Sequence, residues 1–422
     1  MQRALSFDAS PPLRAPMRFF LTAPVFGIAG GLLLTWQGAD AFASRWMPST
    51  LALTHLLVLG FLAMTMIGAL LQMLPVVAGV TVPRVAGVGC WVWIGTTAGT
   101  VLLASAFLMS APLLFQLATV TLALAFAGLL AAVVRGLLQA APQAAAATVN
   151  GMRLALLSLA ATLVLGVTLG SYFGWNANVP VARLVNFHAA WGLLGWVGIL
   201  IVGVGFQVIP MFQATPVYPR HMTRWLPGVI ACLLLLRMLP GAGAQVAAWC
   251  LAAAFGLFGV WTLRLLARRR RPKRDVTTLF WRLAMGCLAV AALMAVLPGI
   301  DDARPMLLGV LFIAGCAVSA VSGMLYKIVP FLLWYHLQEA AGAASKAPSI
   351  RILLSEQAAE QHFWLHAGAL AMLVGAVFVP ELARPAGAAF AIASLRLALN
   401  LASAALRYRR ALQVSGSAVV GA

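Results

Sequence analysis

A chain of 422 residues that is 63% hydrophobic and 9% charged is not built for water, since soluble domains carry roughly 25% charged residues. Its net charge of +19 fits Arg and Lys in membrane-flanking loops, where positive residues mark the cytoplasmic side, and not a nucleic-acid partner. The five cysteines (Cys90, Cys232, Cys250, Cys287, Cys316) are scattered through apolar runs without a C-x-x-C pair. This argues against a disulfide framework or thiolate metal site and leaves them as small packing residues.

In chain order, apolar runs near the ~20 residues that cross a bilayer as a helix recur over 17–37, 49–77, 86–110, 112–136, 151–174, 182–211, 224–241, 244–267, 276–298, 305–336, 358–379 and 385–407. Arg3, Arg14 and Arg18 precede the first run. With so many spans following, it reads as an uncleaved helix and not as a signal peptide. The expected fold is all-α: a polytopic membrane protein of about 12 transmembrane helices, one membrane domain over 1–422, with no sizeable soluble domain.

Charge sets the orientation. The loops after spans 2, 4, 6, 8 and 10 hold Arg84, Arg135, Arg153, Arg220, Arg224, the run Arg268–Arg271 with Lys273 and Arg274, then Lys346 and Arg351. The opposite loops are poor in Lys and Arg, and one carries Asp301 and Asp302. Positive residues mark the cytoplasmic side, so both termini are expected there, as an even number of spans demands. The membrane is then a bacterial-type inner membrane. The basic segment after span 8 reads as an orientation signal, with anionic lipid as an alternative ligand.

One pattern organises the chain. Gly60, Gly68, Gln72 and Pro75 define G-x7-G-x3-[QK]-x2-P, which returns as Gly195, Gly203, Gln207, Pro210 and again as Gly315, Gly323, Lys327, Pro330. A recurring motif indicates a repeated architecture, and the copies fall in spans 2, 6 and 10. Three pseudo-repeated four-helix units over approximately 17–136, 151–267 and 276–407 are expected. The second Gly, the Gln or Lys, and the Pro share one helical stripe. Small residues there permit close helix contact. The polar member is expected to avoid hydrocarbon. The stripe either knits three central helices together or lines an inner cavity with Gln72, Gln207 and Lys327. Arg396, near the middle of span 12, is costly in a membrane unless paired and joins the cavity candidates.

Six histidines remain. His55 and His188 lie at similar depth on spans 2 and 6, five and seven residues before the first motif Gly. Neutral imidazoles so placed can ligate haem iron or copper; alternatively they are interior histidines bonded to carbonyls. His336 closes span 10, and His362 and His366 open span 11 at i, i+4, a spacing that can chelate a metal but also suits interfacial histidines. His221 falls in a basic loop.

Twelve spans, three four-helix units and His on spans 2 and 6 resemble the haem–copper oxidase subunit I superfamily, including the smaller NnrS-type membrane proteins. The resemblance implies that span 2 supplies a haem ligand, His55, and span 6 a copper ligand, His188, with haem b and/or copper as cofactors. It departs from the oxidases in lacking a His pair on span 7 and in the outer half of span 10, so a complete oxygen-reducing centre, and hence a terminal oxidase, is not expected. The implied role is nitric-oxide tolerance or maturation of respiratory oxidases. Its partners are the lipid bilayer, respiratory-chain proteins or a second copy. Two other readings stay open: a secondary permease for a small, anionic solute neutralised by Lys327 or Arg396, and a structural partner of a respiratory complex. No phosphate-binding loop or nucleophile elbow supports primary transport or hydrolysis.

Overall fold

The computed structural model describes residues 10–80, 82–139, 146–271, 275–298, 302–341 and 350–420. Arg3, Lys273, Arg274, Asp301 and Lys346, named above for their charge, lie outside these. Among the described residues the chain is helical and no strand occurs. Twelve long rods follow in order: α1 (Arg14–Gln37), α2 (Pro48–His55 continuing through Leu56–Ala63 and Met64–Ala78), α3 (Val85–Met109), α4 (Pro112–Gln139), α5 (Ala146–Trp175) and α6 (Val181–Ala189 through Ala190–Ile199 and Leu200–Gln213). Next come α7 (Arg220–Leu236), α8 (Ala242–Ala267), α9 (Val276–Met294), α10 (Arg304–Gly309 through Val310–Val318 and Ser319–Ala341), α11 (Glu356–Ala376) and α12 (Ala383–Val420).

Ten of the twelve are long and apolar enough to cross a membrane. The exceptions have simple causes. Helix α7 has 17 residues, fewer than the ~20 that span hydrocarbon without help. Helix α11 begins EQAAEQH, and those polar residues lower the hydropathy of its first turns.

Local chemistry marks several ends. Gly79 closes α2 at φ 66°, a left-handed conformation natural to Gly. There the Val80 and Gly79 amides donate to Leu74 O at 3.0 Å and Pro75 O at 3.2 Å, the Gly79 bond being that of an αL-type ending that satisfies an orphan carbonyl. Asp275 caps α9, accepting from the Thr277 amide at 3.0 Å. Ser355 caps α11 through the Ala358 amide at 3.1 Å, as short oxygen-bearing side chains do at helix starts.

Packing follows one scheme three times. Helices α1, α5 and α9 each pack against the next helix, the second next, and the last helix of the preceding unit, with α12 returning onto α1. Nine helices thereby surround α2, α6 and α10, the three motif carriers. Each carrier also departs from α-helical winding around the first motif Gly: Leu56–Ala63, Ala190–Ile199 and Val310–Val318 are π-helical. Such i→i+5 segments are rare and concentrate at functional sites.

The motif glycines explain the close approach. A Cβ on Gly68 would strike Phe19 and Phe20, and one on Gly60 would strike Phe26, all on α1. Gly195 faces Ser158 and Gly203 faces Gly151, both on α5. Gly315 faces Cys287 and Gly323 faces Phe280, both on α9. Every copy therefore turns both glycines onto the first helix of its own set. Packing, the driving force available where water is absent, accounts for the Gly part of the pattern.

Candidate functional site

His55 and His188 meet. Their ring centres are 6.3 Å apart and their planes 23° from parallel. His55 Nδ1 lies 2.7 Å from Leu51 O, and His188 Nδ1 lies 3.1 Å from Thr162 O on α5. A carbonyl oxygen only accepts, so Nδ1 carries the proton in both rings and Nε2 keeps the lone pair. Metal-ligating imidazoles are typically oriented in this way, one nitrogen donating to a carbonyl and the other left for the metal. Both rings are partly buried. Phe107 stacks on His55 at 5.3 Å, and Phe115 and Phe173 extend the aromatic wall from α4 and α5. Gly166 gives His188 room: a Cβ there would lie 3.1 Å from Cε1.

Two imidazoles opposed across one metal ion, with metal–nitrogen bonds of about 2.0–2.1 Å, would have ring centres roughly 6 Å apart; these two stacked rings share that separation. Copper, or haem iron with its own four ring nitrogens, accepts such a pair. Among the described residues no group of three or more His, Cys, Asp and Glu side chains is placed to hold a metal ion.

The second histidine group divides. His362 and His366 are buried, each 2% exposed, against the interfacial position that their place in the sequence suggests. Phe280 of α9 packs on both, at 5.3 and 6.0 Å. His366 Nε2 is 2.8 Å from Ser319 Oγ of α10. Asn400 of α12 donates to the Tyr326 hydroxyl at 2.8 Å and to Ala358 O at 2.9 Å. His366, Ser319, Asn400 and Tyr326 thus find partners, as an apolar surround requires, whereas His362 Nδ1 is buried without one. His336 does not join them: its Nδ1 lies 3.2 Å from Glu339 Oε2 near the end of α10. The metal site expected from His336, His362 and His366 is not assembled among the described residues, where no group of three or more His, Cys, Asp and Glu side chains is placed to hold a metal ion.

Gln72 and Gln207 do line a cavity of about 300 Å³ between α2, α6 and α10. Lys327 and Arg396 do not, correcting the expectation for both. Lys327 Nζ reaches Asp275 Oδ2 at 2.8 Å with both side chains partly exposed; an ammonium left unpaired in an apolar cavity would carry a large desolvation cost, which the ion pair and residual hydration offset. Arg396 donates to Gln361 Oε1 across the α11–α12 seam. The first cavity residue of α2, Thr65, lies ten positions past His55, more than two helical turns along the rod. The histidine pair and the cavity therefore occupy different levels of the same three-helix core.

The fold defines the class of protein: an all-helical, multi-pass membrane protein. No family model matches the chain, and no curated protein matches it.

Proposed function

We propose that the protein is a metal-binding integral membrane protein related to haem–copper oxidase subunit I, with His55 and His188 holding copper or a haem iron, and without an oxygen-reducing centre. One observation carries this reading: two imidazoles on two central helices face each other at 6.3 Å with both Nδ1 atoms engaged by carbonyls. A bound redox metal would supply one-electron chemistry and a coordination position for a small diatomic molecule. The chain's own contribution is to fix the tautomer through Leu51 and Thr162, to orient both rings, and to keep water away with Phe107, Phe115 and Phe173.

In this reading α7 and α11 also span, giving twelve spans with both termini in the cytoplasm and an inner-membrane location. The recurring packing scheme, the three π-helical segments and the glycine contacts support three four-helix units. The physiological role is nitric-oxide tolerance or the maturation of respiratory oxidases, with respiratory-chain proteins or a second copy as partners. The permease reading draws less support, since Lys327 is paired with Asp275 and Arg396 sits in an outer seam.

A reduced-minus-oxidised visible spectrum of the purified protein, with iron and copper analysis, tests the proposal. A haem b spectrum or near-stoichiometric copper is expected. A colourless, metal-free protein from metal- and haem-replete cells would refute it.

A further inference from the structure

The cavity between α2, α6 and α10 is long. Its walls run from Thr65 to Val77, from Leu200 to Phe212 and from Ala320 to Leu332. All three stretches lie in α-helical segments, so each wall covers about 18 Å at 1.5 Å per residue. A volume of about 300 Å³ is at the low end of small-molecule sites, roughly 300–1,000 Å³. Drawn out over that length, it is a slot. The surface it presents is apolar, with Met66, Met73, Met211 and Met324 in the wall, and the carboxamide oxygens of Gln72 and Gln207 are themselves buried. A water molecule needs about 2–4 polar partners to stay in a cavity, and this wall does not offer them. An empty apolar space forfeits dispersion contacts along its whole lining. Two of the walls also stop at one end. Val77 and Phe212 stand next to Ala78 and Gln213, the last residues of α2 and α6, while α10 continues to Ala341.

We propose that this slot holds one hydrocarbon chain of a membrane lipid. The chain enters where α2 and α6 end and reaches toward Thr65 and Leu200, with its headgroup left outside at the membrane surface. Length and apolar lining both match an extended chain, and the bilayer around the bundle supplies such chains. Methionine side chains are flexible and polarisable, so the wall follows a chain of varied conformation. An ion is disfavoured because the wall offers no charge and Lys327, on the same stretch of α10, pairs with Asp275. The site is separate from the histidine pair and does not depend on the metal reading.

The test uses the full-length protein in nanodiscs containing phosphatidylethanolamine whose palmitoyl chain carries a photoactivatable diazirine. The diazirine sits either at the chain end or beside the ester, and adducts are mapped by mass spectrometry. The chain-end probe should label the deep wall at Met66 and Ile201, and the ester-side probe the mouth at Val77 and Met211. Ala69→Leu and Ala320→Leu fill the slot and should abolish the deep adducts, with labelling of the exposed apolar residues Trp36 and Leu113 unchanged as the internal standard. In the wild-type protein alone, labelling confined to such exposed positions, or a depth order that is absent or reversed between the two probes, would overturn the proposal. Deep adducts undiminished in both filling variants would overturn it as well.

Discussion

Gly203→Ala is the sharpest probe of how the central helices are held. A Cβ at Gly203 would stand 2.7 Å from Gly151 Cα, and one at Gly151 would stand 2.6 Å from Gly203 Cα. Carbon atoms rest comfortably at about 3.5–4.0 Å, so α5 and α6 must separate by about 1 Å. The obstacle is backbone and has no rotamer to escape into. Overpacking of this kind costs about 1–3 kcal/mol, and the upper part of that range applies here. Gly151→Ala should cost a similar amount. The double variant should fall short of the sum by about 1 kcal/mol, because contacting residues couple and one separation admits both methyl groups. Gly228→Ala on α7, with nothing within 4 Å of its Cβ, is the control and should be neutral or stabilising by up to about 1 kcal/mol. SDS titration in mixed micelles, followed by tryptophan fluorescence, measures all four. Gly203→Ala within about 0.5 kcal/mol of wild type, or an additive double variant, would refute this packing argument. Because α5 also carries Thr162, which orients His188, the same variant should lower metal occupancy.

Asp275→Ala should destabilise more than Lys327→Gln, since it removes both the ion pair and the α9 cap; the cap alone is worth about 0.5–2 kcal/mol, and the unfolding midpoints of the two variants give the order. Ser319→Ala leaves the buried His366 Nε2 without its partner and should cost about 1–3 kcal/mol, while Ser319→Thr should retain much of the stability. Cysteines introduced into an otherwise cysteine-free protein at Arg84 and Arg220 should react with a membrane-impermeant maleimide only in inverted vesicles, and a cysteine at Arg45 only in right-side-out ones; the reverse pattern would refute the proposed orientation.

The twelve helices were legible because apolar runs and helix length are coupled in a membrane: the run over 17–37 became Arg14–Gln37, and that over 244–267 became Ala242–Ala267. Glycine spacing likewise pointed to close helix contact, and each motif Gly meets a neighbour. The π-helical segments were not legible, since their i→i+5 bonding carries no residue signature comparable to Pro or Gly. They matter for the site. His55 and His188 stand at different offsets from their motif Gly, and only the actual winding of α2 and α6 determines where each ring points. The burial of His362 and His366 was hidden for another reason: distance along α11 from its polar start suggested an interface, whereas burial depends on α9, α10 and α12 packing around it. Lys327 was misplaced because its partner, Asp275, is 52 residues away in sequence.

The most direct test of the metal assignment compares iron and copper content in the wild-type protein, His55→Ala and His188→Ala, each purified in detergent and shown to be monodisperse. The account predicts close to one bound metal per chain in the wild type and its loss in both variants, with the fold retained. Full occupancy in either variant would contradict the pairing of these two histidines as ligands.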